Sequence, residues 1–171
     1  AALCDLIIAE EVSSGGGERL LPVRRLRERL RLMLGQSLVD TRRACESLLT
    51  ESEGRADRSE EVLLLGMLSR IYLRIGEPLA GAAFARRAVS SAESMNEPKL
   101  LADTLIHLGS TLLADNANES VDCYARALAT VEGQGDVIAQ ARCHINLGIA
   151  LSQLGQGDQS RESYLRALTL G

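Results

Sequence analysis

Aromatic side chains are nearly missing from this chain: they make up 2% of its 171 residues, and there is no Trp. A core without large rings has to be filled by Leu, Ala, Ile and Val. Leu and Ala are strong helix formers, whereas the aromatic and β-branched residues that favour strands are scarce, so an all-α chain is expected. Lysine is reduced to Lys99, and the other eighteen cationic side chains are arginines, an imbalance we read as genome composition. A basic surplus is also absent. The net charge is −4 and the pI about 5.3, which argues against a dedicated nucleic-acid binder. No apolar run approaches the ~18 residues that span a membrane. Cys4, Cys45, Cys123 and Cys143 form no C-x-x-C pair and match no zinc spacing. Each falls in a stretch of amphipathic helical pattern, where a thiol acts as a small hydrophobe. Free buried thiols, no metal, no cofactor and a cytoplasmic setting are therefore expected. The opening Ala1-Ala2-Leu3-Cys4 has neither Met nor a basic segment, so it is not read as a secretory leader but as a cut inside a longer protein.

What is present is a repeat. Leu147-Gly148 and Leu108-Gly109 stand 39 residues apart, Tyr124 and Tyr164 40 apart, and Ala88, Ala127 and Ala167 recur at 39 and 40. Each unit reads as a helix, a short turn and a second helix. Leu147, Ile149, Ala150, Leu151 and Leu154 make one wide apolar stripe, which Gly155 ends. Tyr164, Ala167 and Leu168 are expected on the inner face of the following helix, and the small Gly148 and Ala167 allow the paired backbones to approach. Gly76-Glu77-Pro78 marks the equivalent turn in an earlier unit, with Pro at a helix start. A degenerate first unit fits the same frame: a helix over 20–34, a turn at Gly35 (41 residues before Gly76), and a helix over 37–50 with Ser37 as N-cap. A polar connector is expected over 51–57. The units then run over about 20–57, 58–97, 98–135 and 136–171, forming an array over 18–171. Residues 1–17 are expected as an N-terminal helix and a glycine-rich linker (Ser13 to Gly17).

The run Asn146-Leu147-Gly148-x-x-Leu151-x-x-Leu154-Gly155, followed by Ser160, Tyr164 and Ala167, resembles the tetratricopeptide repeat. Leu65, Leu105 and His144 stand where that family has a Trp-like residue, and Ser160 and Gly81 where it usually has Ala. The 40-residue step is longer than the commonest 34 and resembles the long-repeat variety found in bacterial signal-transduction ATPases, transcription activators, quorum-peptide receptors and kinesin light chains. The resemblance implies an α-α superhelix, a solenoid of stacked antiparallel helix pairs whose first helices line a concave groove. It implies a non-catalytic scaffold that binds a partner protein or peptide, as part of a larger bacterial regulator.

Carried over position by position, the groove residues it implies are Arg70 and Arg74; Asp103, His107 and Ser110; and Arg142, Asn146, Ile149 and Gln153. Asn146 matches an asparagine that holds a peptide backbone in long-repeat relatives. His107 and Met67 take its place in the two preceding units, so no asparagine ladder runs along the array. Arg70, Arg74 and Arg142 would suit an acidic segment or a carboxylate. His107 is expected to titrate near neutral pH, and His144 to pack in the core. The basic cluster Arg24, Arg25, Arg27, Arg29 and Arg31 is read as a solvated or ion-paired face beside Glu18 and Glu28. The last helix still carries Tyr164, Leu165, Leu168 and Leu170, so it lacks the polar outer face of a capping repeat. Either further repeats or a second copy of the chain would cover it. The alternatives to a partner-binding scaffold are a structural or dimerisation segment and a sensor of a small signal peptide or ligand.

Overall fold

The computed structural model describes Asp5, Ala9 and residues 20–170. Apart from those first two positions, the helix and linker expected over 1–17 lie outside the described residues, as does Cys4. Among the described residues there are eight helices and no strand: α1 Leu20–Met33, α2 Leu38–Gly54, α3 Arg58–Arg74, α4 Pro78–Glu93, α5 Pro98–Leu112, α6 Ala117–Glu132, α7 Val137–Gln153 and α8 Gly157–Thr169. The all-α architecture implied by the composition is therefore the one observed. Consecutive helices pack as antiparallel pairs, α1 with α2 through α7 with α8, and the pairs stack on one another.

Local chemistry sets the ends of the helices. Ser37, Asp57, Asn116 and Asp136 each accept a hydrogen bond from a backbone N–H three residues on, relieving one of the free donors of a first turn. Glu77 and Glu97 give no such bond; Pro78 and Pro98 occupy the first turn instead and need no donor partner. Gly76 and Gly155 have φ of +85° and +73°. Behind them Glu77 N–H donates to Tyr72 O and Gln156 N–H to Leu151 O, each at 2.9 Å, which closes the last turn of the first helix. The helix α2 continues to Gly54, across most of the expected connector. Ser52 is buried there and donates to Leu49 O, and Arg55 pairs with Glu51 one turn back, so the polar letters of this stretch sit inside a helix.

The pairs are locked at one recurring level. Counting from each N-cap, the fourth residue of the second helix is Thr41, Gly81, Ser120 or Ser160, and the eighth is Cys45, Ala85, Tyr124 or Tyr164. In the last two pairs the Tyr ring lies on a first-helix glycine. A Cβ at Gly109 would stand 2.7 Å from Tyr124 Cε1, and one at Gly148 2.6 Å from Tyr164 Cε1. Ser120 Oγ donates to Gly109 O (2.8 Å) and Ser160 Oγ to Gly148 O (2.7 Å). The α3–α4 pair reverses this chemistry. Ser69 takes the glycine position, Ala85 the tyrosine position, and the glycine moves to the second helix, where a Cβ on Gly81 would stand 2.9 Å from Ser69 O. The core is continuous along the stack because α4 is buried on both sides: Ala82, Ala85 and Val89 join the cluster towards α5–α7, and Ala88 and Ala92 join Leu64, Leu65 and Leu68. Leu168, expected inward, is 76% exposed.

Gly148→Ala should force the Tyr164 ring off its helix and destabilise the fold by about 1–3 kcal/mol, the usual range for overpacking. Gly133→Ala should be near neutral, since Gly133 has φ −79° and open space around its Cβ position. Urea unfolding of the two variants checks this, and equal midpoints would remove the ring-on-glycine contact from the account.

Candidate functional site

The direction of curvature follows from which helices meet. Each first helix comes within contact distance of the next first helix, α1 with α3, α3 with α5 and α5 with α7, while no such contact joins consecutive second helices. First helices therefore crowd on the concave side and second helices splay on the convex side. Ion pairs bridge the splayed row: Arg87–Glu53 at 2.8 Å, Arg86–Glu119 at 2.9 Å and Arg126–Glu93 at 2.7 Å. A convex cavity of about 680 Å³ lies between α4 and α6, but its arginines, Arg86 and Arg126, are already paired with Glu119 and Glu93.

The concave cavity differs. It measures about 340 Å³ and is lined by first helices alone, from α1 (Arg25, Arg29) to α7 (Arg142), with Val62, Leu63, Met67 and Leu100 forming apolar wall. Two of its arginines are matched. Arg25 grips the buried Glu60 through two nitrogens (2.5 and 3.2 Å), and Arg142 pairs with Asp103 at 3.0 Å. These pairs link α1 to α3 and α5 to α7. Between α3 and α5 the link is steric: a Cβ on Gly66 would stand 3.3 Å from His107 Nδ1. Arg29 and Arg70 line the same cavity, and among the described residues no carboxylate pairs with either. Burial lowers the Arg70 pKa, with the like charges of Arg29 and Arg74 acting in the same direction.

His107 does not titrate near neutrality as expected. Burial lowers its pKa to about 4; Arg70 and Arg142 add to that depression and Asp103 opposes it. The imidazole is therefore neutral at physiological pH. His144 is buried in the core, with its pKa also lowered by burial. The thiols of Cys45, Cys123 and Cys143 are free and buried, and burial raises them to about 12, 11 and 11. None of these three is a thiolate nucleophile at neutral pH. No group of three His, Cys, Asp or Glu among the described residues could hold a metal ion, and no described helix is long and apolar enough to cross a membrane.

Of the residues singled out from sequence, Arg70, Asp103, His107 and Arg142 line this concave cavity. Arg74 is not among its lining residues and donates to Leu32 O at 2.8 Å, at the C-terminal end of α1. Ser110 is engaged by the Tyr124 hydroxyl at 3.1 Å. Asn146, Ile149 and Gln153 follow along α7 outside the cavity. Sequence reasoning missed Arg25 and Arg29, which it placed on a solvated or ion-paired face. Arg24, Arg25, Arg27 and Arg31 are indeed ion-paired. Among the described residues Arg29 has no such partner, and a signal existed: Arg29 precedes Arg70 by the same 41 residues that separate Gly35 from Gly76.

No family model matches the chain. Over 136 residues, 80% of its length, it is 28% identical to the human SH3 domain and tetratricopeptide repeat-containing protein 2. It spans only 10% of that relative's length. It superposes on the crystal structure of BtubC (BKLC) from P. vanneervenii with a TM-score of 0.77, covering 88% of this chain and 63% of that one at 18% identity. The shared fold is a helical-repeat solenoid. In sequence, the similarity is to a protein whose name carries the tetratricopeptide repeat.

The position of His107 gives acid stability a defined sign. Its native pKa of about 4 lies below the ordinary 6.5, so between those values the unfolded chain binds the proton first. The neutral histidine's contribution is intact above pH 6.5 and is lost as pH falls towards 4, by about 2–3 kcal/mol at most. Arg29 on α1, Arg70 on α3 and Arg142 on α7 face the same group. His107→Gln should flatten this part of the pH dependence in urea melts; an unchanged slope would show that His107 is not buried neutral.

Proposed function

We propose that the chain is a protein-interaction scaffold that holds a partner protein or peptide along its concave face. The observation that carries this reading is that four first helices together build one cavity in which guanidinium groups, an imidazole and apolar wall converge. Support comes from the resemblance to tetratricopeptide repeats and from the relative whose name carries them. Arg70, Arg74, Asp103, His107, Ser110, Arg142, Asn146, Ile149 and Gln153 are the proposed contact row. Asn146 offers a donor and an acceptor together, which suits a peptide unit. We place no chemical step in the groove. The forty-residue step supports the finer reading, a piece of a larger bacterial signalling or transcription regulator working in the cytoplasm.

The test is selection of displayed peptides on the purified chain, followed by affinity measurement on the peptides obtained. Arg70→Ala, Arg142→Ala and Asn146→Ala should weaken binding about ten-fold or more where a charged or bidentate hydrogen bond is lost. Arg86→Ala and Arg126→Ala, on the convex row, should leave it unchanged. Equal affinities across both sets would favour the structural reading of the array.

One observation favours a second use of the surface, pairing of two copies through the last unit. Ile106 is 4% exposed because the next first helix covers it, whereas Ile145, 39 residues on, is 45% exposed. Leu165 and Leu168 extend the same face, and burying such side chains stabilises an interface. Light scattering at high concentration should show a dimer that Leu165→Glu with Leu168→Glu returns to monomer; a monomer throughout would defeat the pairing.

A further inference from the structure

The charge inside the concave cavity is uneven in a specific way. Arg25, Arg29, Arg70 and Arg142 face it. Glu60 and Asp103 neutralise Arg25 and Arg142, and His107 carries no charge at neutral pH. Among the described residues, two guanidinium charges, on Arg29 and Arg70, are left over. They reach the cavity from different helices, α1 and α3, and they repel each other. A carboxylate would satisfy one of them. A phosphate monoester carries about two negative charges and three acceptor oxygens, enough for both planar forks at once. The cavity of about 340 Å³ has room beyond the phosphate, and Val62, Leu63 and Met67 give that room an apolar side suited to the carbon stem of an attached residue. Gly66 packs against the His107 imidazole on the α3 side, and the ring lines the cavity, where an N–H can add a neutral donor.

We infer that this cavity receives the phosphate of a phosphorylated serine or threonine on the segment held in the groove, with Arg29 and Arg70 as its paired ligands. The inference rests on the groove reading above and adds to it the class of ligand. The same phosphate chemistry could arrive as a free anion, and the experiment separates the two sources.

Three fluorescent degenerate peptide pools, centred on phosphoserine, serine and glutamate, are titrated against the whole chain, with inorganic phosphate as a separate probe. The phosphoserine pool should bind at least ten-fold tighter than the glutamate pool, and Arg29→Gln and Arg70→Gln should each cost about ten-fold, the size expected for a charge-assisted bond. Arg126→Gln on the convex row should cost nothing. Thermal melts of each variant confirm folding. In parallel, NMR titration should show the His107 pKa rising from about 4 when the phosphoserine pool is bound, because a dianion then faces the ring. Equal binding of the glutamate and phosphoserine pools would overturn the phosphate assignment while leaving the scaffold reading intact. Shifts of His107 with inorganic phosphate but with no peptide pool would overturn the partner-borne source. No response to any probe, alongside successful selection of groove-binding peptides, would overturn the inference alone.

Discussion

A helix pair in this array closes only where one of its two faces gives up volume. Interiors are close-packed, so the space between paired backbones must be filled once. In α5–α6 and α7–α8 the second helix supplies a tyrosine and the first supplies glycine. In α3–α4 both positions are small, and the second helix comes closer through Gly81. In α1–α2 the order reverses. Glu28, seven residues before Gly35 as Gly148 is before Gly155, is fully buried, and its charge raises the thiol of Cys45, which stands at the tyrosine position. One constraint thus has three chemical solutions over four pairs, and the two in the N-terminal half barely look like a motif.

Glu28 also shows why the concave surface is basic. A buried carboxylate is tolerable only when paired, and Arg27 Nε (2.8 Å) and Arg31 Nη1 (3.2 Å) supply its partners from its own helix. Arg24 and Arg25 are drawn to Glu51 and Glu60 on the neighbouring helices. Two members of the arginine cluster thus hold α1 to its neighbours, and two more neutralise Glu28 within α1. The fifth, Arg29, sits one residue beyond the buried glutamate, and helical geometry turns it about 100° away, towards the groove. The surplus charge in the cavity is therefore a geometric by-product of how the first pair packs.

The parts of the fold that were legible in the sequence are those that repeat the same chemistry. Leu147-Gly148, Tyr164 and the N-cap and glycine punctuation recur because the same local packing recurs, and they announced an all-α stack of helix pairs. Other features depend on a neighbouring unit and leave no local mark. His107 resembles a surface histidine until α1, α3 and α7 bring arginines around it. Leu168 has the letters of a core residue, and only the absence of a covering helix among the described residues leaves it exposed. The polar run after Thr50 reads as a loop, yet Ser52 bonds back to the helix and extends α2 to Gly54.

The two faces of the array answer charge differently, and the difference follows from curvature. Splayed second helices leave gaps wide enough for long side chains to span, so Arg86, Arg87 and Arg126 each find a carboxylate on the adjacent second helix. Exposed pairs of this kind add little stability, but they leave no charge waiting for a partner. Among the crowded first helices ion pairs cross from α1 to α3 and from α5 to α7. Between α3 and α5 the contact is Gly66 against His107, so Arg70 has a neutral ring beside it where Arg25 and Arg142 have a carboxylate partner. The same closeness that curves the stack inward sets a glycine against His107 there, and among the described residues Arg70 keeps no carboxylate partner. An inward curve and an unmatched cation are thus two results of a single close approach.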